Sequence, residues 1–437
     1  MLQSDYIREL DALRVSEDFL RRTMTLLEKE QATQTPVPPP TAPFKSAFPT
    51  RRFAAAAASL ALVAGLAIFA ARQPQVVPPP GPSSTLPPVT TPPDDPGLPI
   101  LTVPFEPGAM GFEGLLVRQA EDLAGGSPWA GAAGPDTLPV YRVAVLPRDA
   151  AGRFQGGLSA EEMSDRAVAM AEALDLTVEE VQISPTDRQR EAARQKGGDP
   201  DEPPYQATAL CTDGTRVRVD LDGTVFVVFG EVRQLPDGLE PGLDAVITDK
   251  ESARLTVNYL LTEYGPIVGF KEPKADIWVD YTFGGEALWH LQAYEGAGPL
   301  EDQLLSYSRG YLDFYFPEEG GFGGFLFVSQ NLGDKIGDYP IISLDEATGM
   351  LREGRALTTV PEDYYGTITD DLIGAVQLCY RNVDEPIAMP FYRFYVLLSD
   401  QVPWNMSQDL VTYGAFYVPA VEPRYLAGLP EPTLQFN

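Results

Sequence analysis

One histidine, His290, stands in the whole 437-residue chain, inside LWHLQAY. A single imidazole can move a proton or occupy one place at a metal. A zinc centre needs three or four donors, and neither cysteines nor carboxylates fall at such a spacing around it. A Ser–His–Asp arrangement can draw partners from anywhere in the chain, but no G-x-S-x-G, P-loop or G-x-G-x-x-G accompanies this one. His290 therefore reads as a half-buried strand residue. Asp213, Asp220 and Asp222 sit beside two Asp-Gly turns. Oxygen ligands near turns can hold calcium, but Asp and Gly are also ordinary turn residues, and the twelve-residue EF-hand spacing is missing. Cys211 and Cys379 lie in apolar, strand-like stretches and read as two buried thiols rather than a disulfide framework. The Gly-rich GGFGG after Glu318 and Glu319 leads into a strand, so it lacks the helix N-terminus that a phosphate cradle uses. No catalytic, cofactor-binding or metal-binding residue is assigned, and the expectation is a protein that is not an enzyme and carries no cofactor.

The elements that would position these residues follow a recurring order. Ser159-Ala160-Glu161-Glu162 is a capping box that opens a helix to about Leu174, with Met163, Ala167, Met170, Ala171 and Leu174 on its apolar face. YQATALCTDGTRVRVDLDGTVFVVFG then reads as three antiparallel strands turning at Asp213-Gly214 and Asp222-Gly223. A second helix near 249–264 precedes ADIWVDYTF, EALWHLQAYE, GYLDFYFP and GFLFVSQ. A third, near 344–352, precedes LIGAVQLCY, PFYRFYVLLS and GAFYVPAVE. The pattern predicts helices that each cover one face of an antiparallel sheet, with aromatic strands as the core.

The N-terminal part reads differently. Phe53 to Ala71 (FAAAAASLALVAGLAIFAA) carries no charge over 19 residues, which is roughly 28 Å as a helix and close to a bilayer's hydrocarbon thickness. Lys45, Arg51 and Arg52 precede it, and only Arg72 follows closely, which places the N-terminus inside. Pro-rich tracts flank it, and eleven prolines in 73–100 predict an extended spacer. After Arg72 the chain holds 23 basic and 55 acidic side chains, a surface that repels nucleic acid. Residues 4–30 read as two short amphipathic helices, with Leu20, Met24 and Leu27 forming a stripe that wants a partner.

The segment DYIRELDALRVSEDFLRRTMTLLEKE resembles the cytoplasmic piece of single-pass anti-sigma-factor-like proteins of Gram-positive bacteria, although it lacks the His/Cys zinc signature of a large class of them. GFEG, LPVYR, GDYPIISLDEATGMLREG, MPFYRFYV and YGAFYVPAVEPRYL resemble uncharacterised Clostridia-type ectodomains, and the arrangement is similar to PepSY-like domains and the YycH/YycI regulators. The resemblance implies a membrane-tethered binding or regulatory role and no reaction.

The expected fold class is α+β, with a single transmembrane helix followed by an ectodomain of two or three helix-plus-antiparallel-sheet units. The expected divisions are 1–31 cytoplasmic helices, 32–52 inner linker, 53–71 span, 72–100 outer linker, 101–240 first unit, and 241–437 second and third units. The expected function is an extracytoplasmic sensor or regulator anchored in the cell membrane. It would bind a ligand outside and a cytoplasmic sigma factor or other regulator inside through Leu20, Met24 and Leu27. The alternative is an envelope scaffold with an inert anchor.

Overall fold

In the computed structural model, residues 97–429 are described, apart from 104–112, 147–153, 197–201, 240–249, 399–408 and stretches of one to three residues. The largest element is an eight-stranded antiparallel sheet. Its strands in spatial order are β10 (Pro273–Tyr281), β11 (Ala287–Glu295), β12 (Tyr311–Tyr315), β13 (Phe322–Phe327), β9 (Val225–Arg233), β8 (Arg216–Asp220), β7 (Gln206–Cys211) and β6 (Val178–Ser184). Alternation explains it. Ala207, Ala209, Val217, Val219, Val225, Val227, Leu291, Ala293 and Leu312 point to one buried face, as period-two strands with one covered side require. Two helices cover that face. α1 (Ala160–Ala173) starts at the Ser159–Glu162 capping box and buries Met163, Ala167 and Ala171. α3 (Lys250–Ile267) buries Val257, Leu260, Leu261 and Tyr264. Burial of each large apolar side chain contributes roughly 1.5–3 kcal/mol. Strands from both sides of residue 240 join one continuous sheet through the β9–β13 ladder.

The second layer is a four-stranded antiparallel sheet in the order β15 (Ile373–Tyr380), β17 (Pro390–Leu397), β18 (Val411–Pro419) and β2 (Gly114–Val117). Its strands read as near-continuous apolar runs because both faces are covered. Leu378, Tyr392, Phe394, Phe416 and Val418 pack in one cluster with Ala347, Met350 and Leu351 of α5 (Leu344–Arg352). Cys379, Phe391, Tyr395 and Tyr417 pack in another on the opposite face. A three-stranded sheet of β14 (Leu332–Pro340), β3 (Thr137–Val143) and β16 (Ile387–Ala388) flanks it. Two short pairs complete the sheets: β1 (Leu101–Thr102) with β19 (Leu426–Ala427), and β4 (Val145–Leu146) with β5 (Gln155–Gly156). α4 (Leu300–Arg309) packs on both β11 and β15 and so joins the two large sheets. α2 (Asp187–Lys196) is a charged surface helix.

Two expectations are corrected. The fold is mostly β rather than α+β: among the described residues strand outweighs helix by 41% to 26%. The helix signals at Ser159 and Ser343 are strong, but each opens a short surface cover over a much larger sheet. The single-pass membrane reading, with its extracytoplasmic location, is also set aside. Among the described residues no helix is long and apolar enough to cross a membrane. The run Phe53–Ala71 lies outside the described residues.

Candidate functional site

A cavity of about 370 Å³ opens between the uncovered face of the eight-stranded sheet and one face of the four-stranded sheet. Register builds each wall. On the first sheet Asp276 stands opposite Gln292, and Gln292 opposite Asp313. This polar row exists because the neighbouring positions Ala275, Ile277, Leu291 and Leu312 turn to the helix-covered core. On the second sheet Gln377 stands opposite Arg393, and Arg393 opposite Tyr417. The next row holds Ala375, Tyr395 and Ala415. Tyr307 and Ser308 of α4, Leu115 of β2, Leu123 and Gly125 close the remaining sides.

Asp276 is 5% exposed. Its Oδ1 accepts the Gly126 N–H at 2.5 Å, and Gly126 is gripped from its other end by the Tyr294 hydroxyl, which donates to its carbonyl at 2.7 Å. Burial pushes the Asp276 carboxyl up to about 6, against the lowering effects of the Gly126 N–H, Arg393 and His290. Arg393 donates from Nε to Gln377 Oε1 at 3.0 Å, and its Nη2 donates to the same oxygen. Gln377 is itself 4% exposed. Among the described residues no carboxylate stands within ion-pair distance of Arg393. Burial pushes the phenols of Tyr307, Tyr395 and Tyr417 above their ordinary range, so they face the cavity as neutral hydroxyls. At one end Arg381 reaches Glu385 at 2.9 Å and Glu113 at 3.5 Å, with its guanidinium 4.8 Å from the Tyr417 ring centre. Arg381 Nε and Glu113 Oε2 are buried without a hydrogen-bond partner.

The residues singled out from sequence fall in several places. His290 lies beside the site. Its ring stacks on Trp278 with centroids 3.5 Å apart and planes 6° from parallel, and its Nε2 lies 3.1 Å from Asp280 Oδ1. Trp278 lines the cavity, so His290 and Asp280 hold the indole in place from behind. The turn aspartates serve their turns. Asp213 accepts the Thr215 N–H and hydroxyl, both at 2.9 Å, and Asp222 accepts those of Thr224 at 2.9 and 3.0 Å. Asp220 pairs with Arg218 at 3.0 Å. Among the described residues no group of three or more His, Cys, Asp or Glu side chains is placed to hold a metal ion. Cys211 and Cys379 are free and buried in two different core clusters, and Cys379 lines the cavity. Leu20, Met24 and Leu27 lie outside the described residues.

Asp276, Arg393, Gln377 and Gln292 were not picked out as site residues from sequence. The available signal was a charged residue inside an aromatic strand: Arg393 in PFYRFYVL and Asp276 in ADIWVDY. A lone charge in such a run needs a partner or a polar cavity.

No protein-family model matches the chain, and no curated protein matches it. The anti-sigma, PepSY-like and signal-transduction assignments therefore have no support and are withdrawn. Among solved structures, the chain is similar to the crystal structure of an uncharacterized protein from Eubacterium rectale ATCC 33656. The identity is 10%, the TM-score 0.31, and the match covers 65% of this chain and 84% of that one.

Proposed function

We propose that this protein is a binding protein that captures a small polar molecule in the cleft between its two large sheets. One observation carries the reading. Ionisable side chains from two different sheets converge on a single cavity, and neither the buried Asp276 nor the half-buried Arg393 has a counter-charge within ion-pair distance among the described residues. Burying such groups is costly unless a partner arrives. A cavity of this size lies at the lower end of small-molecule sites, roughly 300–1,000 Å³. Its aromatic walls (Trp278, Tyr307, Tyr395) and its few directed polar groups fit selective binding.

The test is a thermal-shift screen of small polar metabolites against the purified full chain, followed by calorimetry. The expected result is at least one class of compound that raises the melting temperature in proportion to the logarithm of its concentration. Ala415→Phe, which fills the cavity from the floor of β18, should abolish the shift. A broad screen with no response, or a response unchanged in a folded Ala415→Phe, overturns the reading.

A further inference from the structure

Resting on that reading of the cleft, we infer that its ligand is a small zwitterion of the amino-acid class, with its carboxylate on Arg393 and its ammonium on Asp276. The charged side chains lining the cavity are two carboxylates, Glu113 and Asp276, and two guanidinium groups, Arg381 and Arg393. A lining balanced in this way repels neither end of a zwitterion, but it disfavours a dianion or a dication. Arg381 pairs with both Glu113 and Glu385, so the charges of Arg381 and Glu113 are already answered within the protein. Two groups of opposite sign are left.

Each has capacity to spare. Asp276 uses Oδ1 on the Gly126 N–H, and no donor from the described residues reaches its Oδ2. An ionised carboxylate accepts at both oxygens. Arg393 spends Nε and Nη2 on one neutral amide oxygen, Gln377 Oε1, which leaves its Nη1 hydrogens for another acceptor. A guanidinium presents five N–H donors and suits a planar carboxylate. The two groups enter the cavity from opposite sheets, so one ligand with separated charges satisfies both. A neutral polyol would leave the Asp276 and Arg393 charges uncompensated. The apolar part of the lining (Leu115, Leu123, Trp278 and the Tyr395 ring) offers a seat for an uncharged side chain.

The experiment is calorimetry on the full wild-type chain with L-phenylalanine, L-leucine, phenylalaninamide, 3-phenylpropionate and glucose. Phenylalaninamide lacks the carboxylate and 3-phenylpropionate lacks the ammonium, so the ligand side is dissected without any variant. The zwitterions should bind, and removing either charge should weaken binding about tenfold or more, as expected for loss of a charge-assisted contact. Arg393→Gln should then bind phenylalanine and its amide equally, and Asp276→Asn should bind phenylalanine and 3-phenylpropionate equally. The inference is overturned if 3-phenylpropionate or phenylalaninamide matches the amino acid on wild type, if glucose binds best, or if none of the five binds. The first two outcomes leave a ligand-binding cleft standing. Failure of the cleft itself shows instead as silence across the broad metabolite screen described above.

Discussion

Asp276 and Arg393 face one cavity from two different sheets, and neither has a counter-charge within ion-pair distance among the described residues. Each is held by a neutral group: Asp276 by the backbone N–H of Gly126, Arg393 by the side-chain amide of Gln377. Neutral partners fix the direction of a charged group without cancelling it. The arrangement is poised for an incoming ligand and is unfavourable when empty, so binding and stability should be opposed here.

Asp276 should therefore destabilise the unliganded protein at neutral pH. Its carboxyl sits at about 6 in the folded chain against an ordinary value of 3.8. Between those values the folded state holds a proton that the unfolded state has lost. Stability should thus fall as pH rises from about 4 to about 6 and stay level above that, by on the order of 3 kcal/mol for a two-unit shift. Asp276→Asn keeps an oxygen for Gly126 and removes the charge. In urea unfolding the variant should be more stable than wild type at pH 7, and the gap should close near pH 4. Parallel pH profiles for the two proteins would show that the carboxyl is not desolvated.

The pair Gly125–Gly126, between β2 and β3, sets the aim of Asp276. A Cβ on Gly125 would collide with Asp276 Oδ1. Gly125→Ala should push the carboxyl off the Gly126 N–H and cost about 1–3 kcal/mol, through overpacking and a lost buried hydrogen bond. Zwitterion affinity should fall with it. An unchanged midpoint and unchanged affinity would mean that the segment yields freely and does not position Asp276.

Much of this fold is legible locally. Ser159 with Glu162 and Ser343 with Glu346 are reciprocal caps in the structure, and Asp213-Gly214 and Asp222-Gly223 turn the β7–β8–β9 meander with Gly214 and Gly223 at φ of 85° and 88°. α4 is less visible because its N-cap position is Pro299, which has no side chain to donate or accept. β14 (LGDKIGDYP) is hidden by its glycines and charges, which break alternation, and its pairing with β3 is irregular in register. The cavity is harder still. Its two walls come from strands far apart in the chain, and no local spacing relates Asp276 to Arg393. What sequence does show is that each is a charge in an aromatic strand.

Gln377 should be the residue whose substitutions separate packing from charge. Its Oε1 accepts two bonds from Arg393, and its Nε2 reaches the Leu123 carbonyl at 3.5 Å. Gln377→Leu strands a guanidinium and should cost about 2–4 kcal/mol. Gln377→Glu gives Arg393 a counter-charge. It should lose much less stability while removing the attraction for a ligand carboxylate. Denaturant midpoints and phenylalanine calorimetry on the two variants measure these effects. Equal affinities for phenylalanine in wild type and Gln377→Glu would show that Arg393 does not meet the ligand.

The Asp222 turn should respond to loss of Thr224 and not to calcium. Thr224 Oγ1 donates to Asp222 Oδ2 at 3.0 Å and accepts the Ser329 N–H at 3.1 Å, so this hydroxyl ties the β8–β9 hairpin to the segment after β13. The Asp222 oxygens already accept from Thr224, and Asp220 is engaged by Arg218. A cation would have to displace these bonds with too few further oxygens at hand, since calcium takes six to eight. Thr224→Val keeps the shape of the side chain and deletes both bonds. Thr224 is 7% exposed, so the loss should cost about 1–3 kcal/mol. Millimolar calcium should leave the melting temperature of wild type and variant where they were. A calcium-dependent rise in wild type that Thr224→Val enlarges, by freeing Asp222, would show that the turn binds the ion after all.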